Sequence, residues 1–344
     1  MGEHYFDKVY GSLLGLAMGD AIGFPAMYHR TLLLRWGRGT LWKFSQLADE
    51  NRVNKISLPF TLSQSEEHLH ISGTDDSEFA VLSALILQEA GENVSPEALF
   101  DGWKKYLIDH ADDVWSGVSE RASIENAKKG LIPPATGNDN PHHFDDGAVI
   151  RAVPIGLRYK GQPAKAAEVA GWMAAITNAE DGVFAAQAMA ASVSVAVEGA
   201  SVEEVVTAGL QFIPDDSWLS RKIRQALNLL EQSGSVFAAI PLWSNHVVNG
   251  IYNYGNIAPE TLALAYAILM GTHGSLLEGL QSASLIPKQA DTMPAMVGAL
   301  SGALQGTSSI PSTWIDSLDV LKGICIPSLK GISLKSVAVN LATL

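Results

Sequence analysis

The chain has 344 residues, 47% hydrophobic and 17% charged, which is enough apolar material for a large self-supporting core. Its 23 Lys and Arg against 36 Asp and Glu give a net charge of −13, which disfavours a general nucleic-acid binder, since that affinity needs a cationic surplus facing phosphates. One cysteine, Cys325, excludes an internal disulfide and a thiolate metal cluster, and its apolar setting reads as a packed thiol.

The first residues mix charged and aromatic types. The apolar stretch 9–22 is preceded by Asp7 and interrupted by Asp20, so it does not read as a signal segment. Gly11, Gly15, Gly19 and Gly23 fall on one helical face, and Gly298, Gly302 and Gly306 repeat the spacing near the end. Each glycine costs about 0.5–1 kcal/mol against alanine inside a helix, so close packing of two buried helices is expected to offset it. Residues 31–73 are the least regular. They carry Arg35, Trp36, Arg38 and Trp42, with Arg30 just ahead, then Glu66, Glu67, His68 and His70. An insertion of this length reads equally as a cover over a cleft and as an oligomer contact or solvated surface.

Helical spacing governs residues 77–90, with Phe79, Leu82, Leu85 and Ile86 as an apolar stripe. Ala-rich helical patterns follow at 163–176, 181–197, 202–212, 218–232, 260–271 and 295–304. Strand-like alternation is confined to 235–240. The best candidate for a membrane span, 262–270, is about half the length required. With no low-complexity linker and no internal repeat, the expectation is one mostly α domain over residues 1–344 in a reducing cytoplasm.

Thr74-Asp75-Asp76-Ser77 precedes the first of these helices. Two adjacent carboxylates between hydroxyls offer hard oxygen ligands of the kind Mg²⁺ prefers. The competing reading is an N-cap with acidic residues in the first helical turn. Asp291-Thr292, ahead of the second glycine-spaced helix, presents the same pair of readings. A third cluster runs His142-His143-Phe144-Asp145-Asp146-Gly147-Ala148 and on to Arg151. The histidines are either ligands or proton carriers, or plain loop residues. Asp146 is suited to accept from a sugar hydroxyl, and Gly147 to let backbone amides approach a ligand. Glu168, Glu180 and Asp181 read as solvated helix ends. No Gly-x-Ser-x-Gly elbow supports serine-nucleophile chemistry.

Taken in order, these pieces resemble the ADP-ribosylglycohydrolase family. The segment Gly11 through Gly23 looks like its first helix, and Thr74-Asp75-Asp76-Ser77 like its metal-binding motif. The run Asp146-Gly147-Ala148 to Arg151 is similar to its Asn-Gly-Ala-x-Met-Arg loop, and Asp291-Thr292 to its closing Asp-x-Asp-Thr. The resemblance implies an all-α, compact single-domain orthogonal helical bundle with a central metal cleft. It further implies one or two Mg²⁺ ions (or Mn²⁺) held by Thr74, Asp75, Asp76, Asp291 and Thr292. Asp75, Asp76 and Asp291 would take part in catalysis. Asp146, Gly147 and Ala148 would line the ribose or diphosphate site, with Asp20 and Glu120 as further substrate-side residues. Glu120 also reads as an exposed helix glutamate.

The implied activity is metal-dependent hydrolysis of a ribosyl glycosidic bond, in an ADP-ribosyl group or a smaller riboside, with no nucleic-acid or membrane partner. Three positions depart from the family pattern: Gln289 stands where an Asp is usual, Met27 where a Glu is usual, and Thr177-Asn178 where Thr-His is usual. They motivate the alternative of a catalytically impaired member that binds ADP-ribose or serves a structural role. The stretch from Ser116 to Pro134, with Asn140-Pro141, looks like a less-studied bacterial branch of the family.

Overall fold

The computed structural model describes residues 3–32, 72–252 and 254–343, except the side chains of 3, 24, 25 and 27–32. The expected cover with Arg35, Arg38, Trp36 and Trp42, and the side chains of Met27 and Arg30, lie outside the described residues. In chain order the helices are α1 (Glu3–Leu32), α2 (Asp75–Ala90), α3 (Pro96–Trp103), α4 (Val118–Lys128), α5 (Ala135–Asn138) and α6 (Gly147–Arg151). There follow α7 (Val153–Arg158), α8 (Pro163–Ala174), α9 (Asp181–Ala196), α10 (Val202–Leu210), α11 (Trp218–Ser233) and α12 (Val236–His246). The chain closes with α13 (Ala258–Gly271), α14 (Leu276–Ala283), α15 (Met293–Gln305), α16 (Ser312–Leu318) and α17 (Leu334–Thr343). Among the described residues no strand forms, and one antiparallel bridge joins Val320 to Ser333. The protein is all-α.

At the centre, α1 lies against α15 with backbone touching backbone. A Cβ built on Gly15 would strike the Gly298 carbonyl, and one on Gly298 would strike that of Gly15. Gly11 and Gly302 face each other in the same way, and Gly19 meets the backbone at Pro294. The Ser12 hydroxyl ties the pair further, donating to the Ala299 carbonyl at 2.9 Å. This contact carries the start of α15, and so Asp291-Thr292, to the middle of α1, where Asp20 sits.

Helices α9 and α13 are buried nearly all round, as their Ala- and Leu-rich sequences without charged faces require. Helix α11 instead buries Leu219, Ser220, Ile223 and Ala226 at helical spacing and leaves its other faces to solvent. The seven helices read from periodicity agree with the observed ones to within two residues at each end.

Residues 235–240, read as a possible strand, belong to α12. The Ser235 hydroxyl caps it by accepting from the Ala238 amide at 3.3 Å, and Val236, Ala239 and Trp243 bury one helical face. Spacing by three and four residues overrides the short apparent alternation. Cys325 is a free, buried thiol, as its setting suggested. Asp181 is no plain solvated end, since its carboxylate accepts from the Leu219 amide at 2.7 Å and so caps α11. Among the described residues no helix is long and apolar enough to cross a membrane.

Candidate active site

Helix α2 starts against α1. Asp20, buried in α1, accepts at Oδ2 from the amides of Thr74 (2.6 Å) and Ser77 (2.9 Å) and from the Ser77 hydroxyl (2.6 Å). Its Oδ1 accepts from the Thr74 hydroxyl at 2.5 Å. One carboxylate from a distant helix therefore takes up the amides that a local cap would have satisfied. Thr74 occupies the N-cap position of α2 without making a side-chain cap bond, and Thr292 does likewise at α15. The N-cap reading thus holds for position, with Asp75, Asp76 and Glu78 in the first turn of α2, but neither helix start has a side-chain cap bond. On the next turn of α2, the buried Glu78 accepts from the amides of Ile324 (2.7 Å), Cys325 (2.9 Å) and Ile326 (2.6 Å). The first turn of α2 is thus anchored from two sides.

A recess at this junction is lined by Asp75, Asp76, Glu120, Asp145, Asp146, Gly147, Arg151, Tyr254, Asn256 and Thr292, among others. Asp291 stands beside it, with Asn256 donating to its Oδ2 at 2.9 Å. Burial pushes the Asp75 carboxyl up to about 8, helped by the negative charges of Asp20 and Asp291. Asp76 is raised well above the carboxylate range by burial and by Asp20, Asp75, Asp291 and Asp146. Burial likewise raises Asp291 and Asp20. The segments 74–76 and 291–292, remote in sequence, thus share one electrostatic environment.

The other acids of the recess have different company. Glu120, 4% exposed, is ion-paired with Arg151, whose second nitrogen donates to the Thr177 hydroxyl. The Arg151 guanidinium lies 5.1 Å from the Trp103 ring centroid. Glu120 is therefore a buried recess residue rather than an exposed helix glutamate. Asp145 accepts from the Gly147 amide at 2.8 Å and from the Tyr254 hydroxyl at 2.5 Å. Burial and then Glu120 push Asp145 up to about 7, against the opposing pull of Tyr254, Gly147 and Arg151.

Asp146, 1% exposed, finds no hydrogen-bond partner for either carboxylate oxygen among the described residues. Its pKa is well raised by burial, by Asp145 and by Asp291. A Cβ on Gly147 would stand 2.5 Å from Glu120 Oε1, so this glycine makes room for a carboxylate. Ala148 is buried behind it in the first turn of α6.

The departures from the family pattern have structural roles. Gln289 is buried, and its Nε2 donates to the buried Glu260 at 2.6 Å. The Thr177 hydroxyl meets Asn178 Oδ1 at 2.5 Å, and Asn178 donates to the Asp145 carbonyl at 2.7 Å, so that pair supports the Asp145-Asp146 loop. His142 belongs to an aromatic group, 4.7 Å from the Tyr254 ring centroid, and burial lowers its pKa. His143 lies 3.8 Å from the exposed Glu180 carboxylate. Tyr254 and Asn256 escaped the sequence reading. Their signal was the Tyr-Asn-Tyr-Gly-Asn run ahead of α13, which is rich in aromatic and amide groups but matches no motif.

Comparisons with known proteins bear on the family and the fold. The ADP-ribosylglycohydrolase family profile matches residues 1–339. The chain belongs to the ADP-ribosylglycohydrolase family. It is accordingly a glycosyl hydrolase, and membership supports action on ADP-ribosyl linkages. A curated relative, ADP-ribosylarginine hydrolase Tri1 of Pseudomonas putida (strain GB-1), is 22% identical over 334 residues, covering 92% of this chain and 75% of the relative. A solved structure described as an ADP-ribosylglycohydrolase-related protein complex shares the fold, with a TM-score of 0.62 at 21% identity over 99% of both chains.

The donor set at this junction suits a divalent metal. Every candidate donor of Thr74, Asp75, Asp76, Asp291 and Thr292 is an oxygen, and Asp76 accepts no hydrogen bond from any described residue, so a hard cation fits the chemistry. Among the described residues no three acid, histidine or cysteine side chains converge as a finished cage. Hydroxyls, waters and substrate oxygens would complete the shell, which suits an ion that keeps several waters.

Proposed function

We propose that this ADP-ribosylglycohydrolase is a divalent-cation-dependent hydrolase of a ribosyl glycosidic bond, in an ADP-ribosyl group or a smaller riboside. What supports the reading is the meeting of residues 74–76 with 291–292 beside the unpartnered carboxylate of Asp146.

Thr74, Asp75, Asp76, Asp291 and Thr292 would hold the cation, Mg²⁺ or Mn²⁺. When bound, it supplies Lewis acidity and an electrostatic anchor for hydroxyl oxygens. Asp20 positions Asp75 and Asp76 by gripping Thr74 and Ser77. Asp146 accepts hydrogen bonds from ribose hydroxyls through its two free oxygens, which orients the anomeric carbon. Asp75 or Asp76 takes the proton of the attacking water, and the surrounding carboxylates stabilise the oxocarbenium-like charge that develops on the sugar.

The test incubates the purified protein with ADP-ribosylated arginine, ADP-ribosylated serine and a panel of nucleosides, with Mg²⁺ and with chelator. Release of a ribose-containing product that depends on Mg²⁺ is expected. No product from any of these substrates, together with ADP-ribose binding by calorimetry, would instead favour a binding module. The Gln289–Glu260 pairing favours that second reading, because it commits the closing-motif position to a neighbouring acid.

A further inference from the structure

Cleaving a glycosidic bond by water requires two proton-handling groups, one for the incoming water and one for the departing atom. The recess contains two acidic sets with separate electrostatic neighbours. Asp75 feels chiefly Asp20 and Asp291, whereas Asp145 feels Glu120 and Arg151. Asp146 is the member coupled to both, through Asp291 on one side and Asp145 on the other.

Asp145 also has the geometry of a prepared acid. It lines the recess, the Gly147 amide donates to its Oδ1, and its Oδ2 lies 2.5 Å from the Tyr254 hydroxyl, which donates to the carboxylate and can turn to accept from the protonated acid. Its main-chain carbonyl is fixed by Asn178. Tyr254 lines the same recess, so hydroxyl and carboxyl face one volume. Behind them Arg151, held by Glu120, Thr177 and the Trp103 ring, is a cation placed to steady a carboxylate once it has lost its proton. The buried, unpartnered Asp146 next in sequence marks this wall as one that faces a ligand.

Resting on the hydrolase reading above, we propose that Asp145, partnered by Tyr254, is the general acid that protonates the departing group. The bond from the anomeric carbon to the leaving nitrogen or oxygen breaks, and its electron pair goes to that atom. The leaving atom takes a proton from Asp145, directly or through Tyr254, which gives up its hydroxyl proton and takes that of Asp145. Water's oxygen forms the new bond to the anomeric carbon, and its proton goes to the Asp75–Asp76 pair. Exchange with solvent then removes the water-derived proton from the Asp75–Asp76 pair and returns one to Asp145, so both acids end as they began. The sum is glycoside plus water giving ribosyl hydroxyl plus protonated leaving group, with no redox partner.

The test compares two aglycones on one ribosyl group: ADP-ribosylated serine, whose alkoxide leaves poorly, and an ADP-ribosyl 4-nitrophenol, which leaves without help. Asp145→Asn keeps an acceptor oxygen for the Gly147 amide and sets its Nδ2 donor against the Tyr254 oxygen, but has no proton to give. Its kcat is expected to fall about 100-fold or more on the serine substrate and only a few-fold on the nitrophenol. Tyr254→Phe is expected to show the same selectivity with a smaller loss, and it decides the matter if the Asn variant does not fold. Calorimetric affinity for ADP-ribose should hardly change in either. Equal losses on both aglycones, with the unaltered protein active, would overturn the acid assignment while leaving the hydrolase reading intact. Inactivity of the unaltered protein on both, and on the arginine and nucleoside substrates named above, would overturn the two together.

Discussion

The two walls of the recess answer the same physical problem, negative charge out of water, in different ways. The wall built from Asp75, Asp76 and Asp291 has hydroxyl and amide neighbours and, among the described residues, no cation against its carboxylates. The wall built from Glu120 and Asp145 carries its own cation, Arg151, and the Tyr254 hydroxyl. A wall without a countercharge is raised in pKa and suited to recruiting an ion from solution. A wall that contains one is complete by itself, and its acids are suited to moving protons.

The largest test of that contrast is neutralisation on the first wall. Asp76→Asn should lower kcat on the preferred substrate by about 10³-fold while raising the melting temperature of the metal-free protein, because it removes an acid that must take up a proton to be buried there. A fall in both quantities would show that Asp76 holds the fold rather than a cation. The same operation on the second wall should have the opposite sign on stability. Glu120→Ala leaves Arg151 buried and unpaired and should cost about 3–5 kcal/mol in denaturant unfolding.

Titration should separate the walls as well. Asp75 sits near 8 when folded against an ordinary value near 4, so its contribution to stability is present at low pH and lost as pH rises through about 8. With chelator present, the melting temperature should therefore fall between about pH 4 and pH 8 and level off above. Saturating Mg²⁺ at about 100 times its dissociation constant should add about 2.7 kcal/mol at the alkaline end. A flat profile unaffected by Mg²⁺ would break the comparison. The smallest effect expected is that of Gly147→Ala, whose methyl group would press on Glu120 Oε1 and should cost about 1–3 kcal/mol by overpacking. That loss should shrink in a Glu120→Ala background, which a double-mutant cycle would measure.

Several parts of this site were legible in the residues alone. Thr74-Asp75-Asp76 and Asp291-Thr292 announced acidic and hydroxyl groups gathered at two helix starts, because adjacent side chains there share a location whatever the rest of the fold does. The glycine spacing announced the α1–α15 contact, since only a missing Cβ lets two helix backbones touch. Residues 235–240 misled, because six residues are too few to separate a two-residue alternation from a helical face; only Trp243, one turn further on, resolves it. Glu120 was open to two readings, because a lone glutamate near a helix start looks the same on a surface and in a recess.

What the amino-acid sequence determined by itself was the helical class, the family and the acidic pairs at two helix starts, all written in short-range patterns of periodicity and adjacency. Tertiary structure alone decided which carboxylates would neighbour one another, that Arg151 would serve Glu120, that Gln289 would turn to Glu260, and that Tyr254 would meet Asp145. The physical reason is range. Helical period is set over a few residues, whereas a buried charge takes its partner from whichever chain segment packing brings within a few ångströms, and no local pattern names that segment.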